Sequence, residues 1–159
     1  MRKILGTGVL ALCGFLFQAM PASAQTVALH ATLIGSEEVP IVLTGAVGTV
    51  NINVDTVSLE LTVDMRVFNL PTGSTASHIH VGPPGIGGPV VIDFPIARGI
   101  TGDTTLNFRL HEGPAFHPRP EIGIITWADA VQAIVGGNSY VNVHTSGNGG
   151  GEIRGRLTE

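Results

Sequence analysis

Val57-Ser58-Leu59-Glu60-Leu61-Thr62-Val63-Asp64-Met65-Arg66-Val67-Phe68-Asn69 decides the fold class. Val57, Leu59, Leu61, Val63, Met65 and Val67 alternate with Ser58, Glu60, Thr62, Asp64 and Arg66. Apolar residues at period two place one strand face on a core and the other in water. That division is characteristic of antiparallel sheets, whose outer face stays solvated.

Working outward, shorter segments repeat the pattern. Thr26 to Ile34 carries Val27, Leu29, Ala31 and Leu33 on one face. Gly45 to Val54 sets Val47 opposite Val50, Ile52 and Val54. Pro89 to Phe94 is a compact apolar run, and Gly99 to Leu110 alternates through Ile100, Leu106, Phe108 and Leu110. Tyr140 to Thr145 and Glu152 to Leu157 form a hairpin around Ser146-Gly147-Asn148-Gly149-Gly150-Gly151, which is all turn chemistry. One segment has helical spacing instead. Thr126 and Asp129 are placed as a capping box, Trp127, Val131, Ile134 and Val135 share a face, and Gly136-Gly137 is a stop. The expected fold is all-β: an antiparallel Greek-key β-sandwich or barrel, immunoglobulin-like or superoxide-dismutase-like, with one short helix at Trp127 to Val135 covering one end.

Residues 1–24 read as a bacterial Sec signal peptide. Arg2 and Lys3 supply the positive end, Ile4 to Met20 is mostly apolar, and Ala22-Ser23-Ala24 is a small-x-small cleavage signal. Cleavage is expected after Ala24, leaving residues 25–159 as one β domain in the periplasm or outside the cell, with no membrane span. Cys13 lies inside the apolar run behind Leu12, so lipid attachment is not expected. The whole sequence has 159 residues and a charge of −4. Loss of Arg2 and Lys3 leaves six basic residues, all Arg, against 12 acidic ones, a charge of −6. Such a chain lacks the basic stripe that nucleic-acid binding needs. The one cysteine leaves with the signal, so packing alone holds the domain in an oxidising compartment.

The chemistry-bearing residues are histidines. His78 and His80 flank Ile79, and residues i and i+2 of a strand share a face, so both imidazoles point to one site. Neutral imidazoles at that spacing suit copper or zinc. His144 lies in Tyr140-Val141-Asn142-Val143-His144, where Val141 and Val143 face the core and His144 takes the other, more open face. If the two strands pair, three rings converge. His117 and His111, in a loop, are further ligand candidates. The metal set is therefore His78, His80, His144 and His117, and metal uptake is expected to fail below the ordinary imidazole pKa of about 6.5. The competing reading is structural: His78 and His80 donate ring N–H groups to carbonyls of the loop Gly82 to Pro89, and His144 pins the glycine-rich hairpin.

Other catalytic readings are weak. Ser77 and His78 are adjacent on a strand and face opposite ways, which defeats nucleophile activation. Glu37 and Glu38 diverge on an extended segment and do not make a glycosidase pair. Gly85-Ile86-Gly87-Gly88 lacks the lysine and following helix of a phosphate loop. Glu152, Arg154 and Arg156 read as an exposed ion network, with attraction of an anion as the alternative.

Four blocks together resemble the CHRD domain, found in chordin and singly in bacterial exported proteins. They are Leu33-Ile34-Gly35-Ser36-Glu37-Glu38-Val39-Pro40 with Thr44-Gly45-Ala46-Val47-Gly48; the long alternating strand ending in Asn69-Leu70; His78-Ile79-His80-Val81-Gly82-Pro83 with Gly88-Pro89-Val90-Val91; and Tyr140-Val141-Asn142-Val143-His144-Thr145 with Gly151-Glu152-Ile153-Arg154-Gly155. Ile41 stands where a second Pro is typical, the turn Gly147-Asn148-Gly149-Gly150 lacks the usual Pro, and Arg156 replaces a common Gln. These departures touch turns and a charge. The resemblance implies an all-β, immunoglobulin-like or barrel-like domain with no established reaction and no catalytic residues to carry over. In chordin the domain accompanies regions that bind growth factors. The His-x-His strand is also similar to the copper strand of Cu,Zn superoxide dismutases, by analogy alone. The expected function is an exported, non-enzymatic binding or structural module for another protein or small ligand. The alternative is a Cu- or Zn-binding, dismutase-like metalloprotein.

Overall fold

The structure is a computed structural model and describes residues 25–159. The signal-peptide segment and its cleavage site at Ala24 lie outside the described residues. Eight strands form one antiparallel sheet: β1 (Thr26–Ile34), β2 (Val47–Asp55), β3 (Leu61–Leu70), β4 (Ser74–Val81), β5 (Val90–Asp93), β6 (Gly102–Leu110), β7 (Ser139–Thr145) and β8 (Ile153–Arg156). Their order is β5-β4-β7-β8-β1-β2-β3-β6, and the sheet curls into a half-barrel. The β3–β4 connection carries the chain from one half of the sheet to the other. The halves face one another: the Ser77 hydroxyl on β4 lies 3.9 Å from Met65 Sδ on β3. Phe94, just past edge strand β5, meets Phe108 of the other edge at 5.0 Å between ring centroids.

Alternation along each strand fills the interior. Leu29, Ala31 and Leu33 of β1, Val50, Ile52 and Val54 of β2, and Leu61, Val63, Met65 and Val67 of β3 are buried. Ile79, Val141, Val143 and Ile153 complete the opposite half. Burying each such side chain contributes about 1.5–3 kcal/mol relative to leaving it exposed. The helix α1 (Trp127–Val135) lays Ala130, Val131 and Ile134 on this core. Its Thr126 hydroxyl accepts from the Asp129 amide while the Asp129 carboxylate accepts from the Thr126 amide, so the expected capping box is present.

The deciding strand differs from the sequence pattern at its start. β3 begins at Leu61, not Val57, and Val57 is exposed. The Asp55 carboxylate accepts from the Val57 and Ser58 amides at 2.8 and 2.9 Å, which folds Thr56 to Ser58 into the β2–β3 turn. Leu59 then takes a left-handed φ of 59°, and its carbonyl accepts from the Trp127 indole N–H. The side chain that tethers α1 therefore also fixes where the strand can begin. No helix among the described residues is long and apolar enough to cross a membrane.

Candidate metal centre

β4 and β7 are neighbours, paired His80 to Tyr140, His78 to Asn142 and Ala76 to His144. His144 is thus the diagonal cross-strand neighbour of His78, close enough for two ring side chains to touch. Ile79 on the opposite face of β4 is fully buried, so the core itself fixes the direction of His78 and His80. One nitrogen from each of His78, His80 and His144 lies within 4.8 Å of the others. His78 Nδ1 and His144 Nε2 are 3.1 Å apart. Tetrahedral ligation at zinc–nitrogen bonds of 2.0–2.1 Å separates ligand nitrogens by about 3.3 Å, so this pair is already spaced for it.

The remaining ring nitrogens are held from outside. His80 Nδ1–H donates to the Gly88 carbonyl at 2.9 Å, and His144 Nδ1–H to the Gly149 carbonyl at 3.0 Å. A carbonyl only accepts, so the lone pair of the neutral His144 ring sits on Nε2. The structural expectation is therefore met at one nitrogen of His80 and of His144, whereas His78 contacts His144 and Asp93 instead of a carbonyl of the Gly82 to Pro89 loop. Asn142 Oδ1 lies 3.0 Å from His80 Nε2, so oxygen acceptors face both nitrogens of this ring, and a free lone pair at Nε2 requires the amide to turn. His78 Nε2 faces Asp93 Oδ1 at 3.5 Å, across the β4–β5 register that pairs the two residues. Acceptors thus stand at both nitrogens of His78: His144 Nε2 and the Asp93 carboxylate. A neutral ring has one proton and satisfies only one of them.

His117 is not part of the triad. Its Nε2–H donates to Asp93 Oδ2 at 2.8 Å, one carboxylate away from His78. His111 is exposed in the same loop. Asp93 itself escaped the sequence reading. Its only local signal is being the charged residue in the apolar run Val90 to Phe94, and its role depends on the β4–β5 pairing.

A clamp orients His80. Tyr140 stacks on the His80 ring at 4.8 Å and 6°, and its hydroxyl accepts from the Gly88 amide at 3.0 Å. The same Gly88 carbonyl receives the His80 proton. Gly88 admits no side chain, since a Cβ would lie 2.0 Å from the Val81 carbonyl. The face bearing His144 is thus less open than its sequence indicated. Tyr140 and Asn142 are buried under the loop Gly82 to Pro89. The exposed ion network expected at Glu152, Arg154 and Arg156 is also corrected. Glu152 and Arg154 are buried, and Arg156 donates to the Gly82 and Gly137 carbonyls. Arg154 lies over the Tyr140 ring at 4.4 Å. Ser77, as expected, faces away from His78, and its hydroxyl donates to the Asn142 carbonyl.

Burial lowers the pKa of all three imidazoles. Burial first, then His144 and His80, bring His78 down to about 4 against the opposing pull of Asp93. His80 and His144 are lowered mainly by burial too, against hydrogen bonds to Gly88 and Gly149. The rings therefore stay neutral, the ligand form, below the pH of 6.5 expected from an ordinary imidazole. Between about 4 and 6.5 the unfolded chain binds more protons than the folded one, so the histidines make stability fall as pH falls. Glu38, raised by burial to about 7, acts with the opposite sign. In a metal-free Glu38→Gln background, thermal melts from pH 6.5 to 4 should show a falling Tm. Adding His78→Gln should reduce that slope. Equal slopes would show that the His78 ring is not held neutral.

No curated protein and no solved structure matches the chain. Residues 29–157 match the CHRD domain, almost all of the described chain and across all four sequence blocks that resemble it. The chain belongs to the CHRD domain family.

Proposed function

We propose that this chain is an exported, non-enzymatic β module that binds one Cu(II) or Zn(II) ion through His78 Nδ1, His80 Nε2 and His144 Nε2. The observation that carries this reading is the position of His78 between two acceptors, in a site whose burial keeps a second proton off the ring. A metal on Nδ1 resolves it, because Nε2–H then donates to Asp93. Each of the three rings would then have its outer N–H on a carbonyl or carboxylate, as ligating histidines usually do. Three neutral imidazoles leave a fourth position for water or a small ligand, and imidazole sets of this kind suit zinc and copper. His117 supports the site through Asp93 instead of ligating.

Export rests on residues 1–24, with Arg2 and Lys3, the apolar run and Ala22-Ser23-Ala24. A second reading, docking of another protein, is favoured by the exposed apolar residues Val39, Ile41 and Leu43, the last 97 % exposed. Untagged protein prepared without chelators and titrated with Cu(II) and Zn(II) tests the metal reading. One equivalent bound is expected. Uptake below about a tenth of an equivalent would remove it.

A further inference from the structure

We propose that the cavity between the Glu38 turn and the glycine-rich β7–β8 loop holds a hard divalent cation of the calcium class. The cavity measures about 240 Å³ and is walled by Glu38, Pro40 and Val42 on one side and by Gly147 to Gly151 on the other. Glu38 is 4 % exposed and its Oε1 is buried without a hydrogen-bond partner. Glu152, fully buried and next in the chain to the loop, also has an unpartnered Oε1. Its Oε2 is already committed, accepting from the Thr145 hydroxyl at 2.8 Å and the Asn148 amide at 2.6 Å.

Burial at Glu152 is outweighed by hydrogen bonds from Thr44, Asn148 and Thr145, which hold its carboxyl below the ordinary range, so Glu38 is the carboxylate left out of water without compensation. Arg154 is the nearby cation, but among the described residues it forms no ion pair within 4.0 Å. It lies over Tyr140 and reaches only the Ile86 carbonyl, at 3.5 Å. The loop is built to receive the Glu38 carboxyl. Gly151 has a φ of 137°, and a Cβ there would overlap the Glu38 carboxylate oxygens. Gly147 and Gly150, exposed residues of the loop, also line the cavity, and among the described residues their carbonyls accept no hydrogen bond. The free donors are thus all oxygens. An all-oxygen set with flexible geometry selects calcium over zinc or copper. A single free carboxylate gives a low ligand charge, which places the affinity in the weak range of extracellular calcium modules, about 10⁻⁴–10⁻³ M.

The competing compensation is a proton. Burial, against the attraction of Arg154 and reinforced by Glu152, raises the Glu38 carboxyl to about 7. The two are separated by titrating CaCl₂ to about 10 mM at pH 7.5 into the metal-free chain, followed by calorimetry and thermal melts. Saturable binding in that range and a rise in Tm are expected. Glu38→Gln, which keeps the shape, should weaken binding at least tenfold while still melting cooperatively. His78→Ala should bind calcium as the parent does, because His78 does not touch the loop, whereas His144 does. Absence of saturable binding, or binding unchanged by Glu38→Gln, would overturn the proposal and leave the proton as the compensating charge. The histidine centre uses other ligands but shares this loop through the His144–Gly149 hydrogen bond, so the titration is made on the metal-free chain.

Discussion

Replacing His144 with alanine should reduce Cu(II) or Zn(II) affinity by more than about 100-fold, beyond the 10–100-fold that loss of an outer-shell partner costs. The ring supplies the nitrogen nearest to His78 Nδ1, at 3.1 Å. Its removal leaves two ligands, His78 and His80, on one strand. The substitution also deletes the hydrogen bond to Gly149, so the loop could loosen for reasons unrelated to metal. Asp93→Asn separates these effects. It leaves all three imidazoles and the loop in place but removes the carboxylate behind His78 Nε2. That variant should lose affinity within the 10–100-fold range, and His117→Gln less still, since His117 reaches His78 only through Asp93. Calorimetric titrations of the four proteins give the ordering. A ranking in which His117→Gln equals or exceeds His144→Ala would move the site toward the loop and away from β4 and β7.

The second large effect concerns the scaffold under the site. Gly155 lies on β8, between β7 and β1, opposite Val141. A Cβ there would stand 2.0 Å from the Thr32 carbonyl oxygen and 2.7 Å from its carbon. Both are backbone atoms of β1, which is held by nine register pairs to β2 and has no room to retreat. Gly155→Ala should therefore destabilise the fold by about 4 kcal/mol or more, at the far end of single-residue effects. Gly45→Ala is the matched control. Its Cβ meets nothing within 4 Å, so its effect should stay within about 0.5 kcal/mol. Urea unfolding of the two variants measures the difference. Equal midpoints would mean that β1 and β8 do not approach as closely as described.

How much of this was legible in the sequence depends on how local each cause is. β1 at Thr26–Ile34 and α1 at Trp127–Val135 match the sequence reading because alternation and a capping box act within one segment. The start of β3 does not, because the Asp55 side chain and a contact from Trp127, far along the chain, override the apolar pattern of Val57 and Leu59. The shared direction of His78 and His80 follows from strand geometry alone. Convergence of His144 needed the β4–β7 pairing, and Asp93 needed the β4–β5 pairing, neither of which composition reveals. The charged trio Glu152, Arg154 and Arg156 misled for a related reason. Charge predicts exposure on average, but here partners from the 82–88 and 145–148 segments cover it.

The most direct measurement is diffraction from crystals soaked in Cu(II) or Zn(II), collected at the absorption edge of the metal. A single anomalous peak is expected within about 2.0–2.1 Å of His78 Nδ1, His80 Nε2 and His144 Nε2. The Asn142 amide should be turned away from His80, and Asp93 should accept from His78 Nε2. A peak elsewhere, or none with the three rings in their present contacts, would contradict the account.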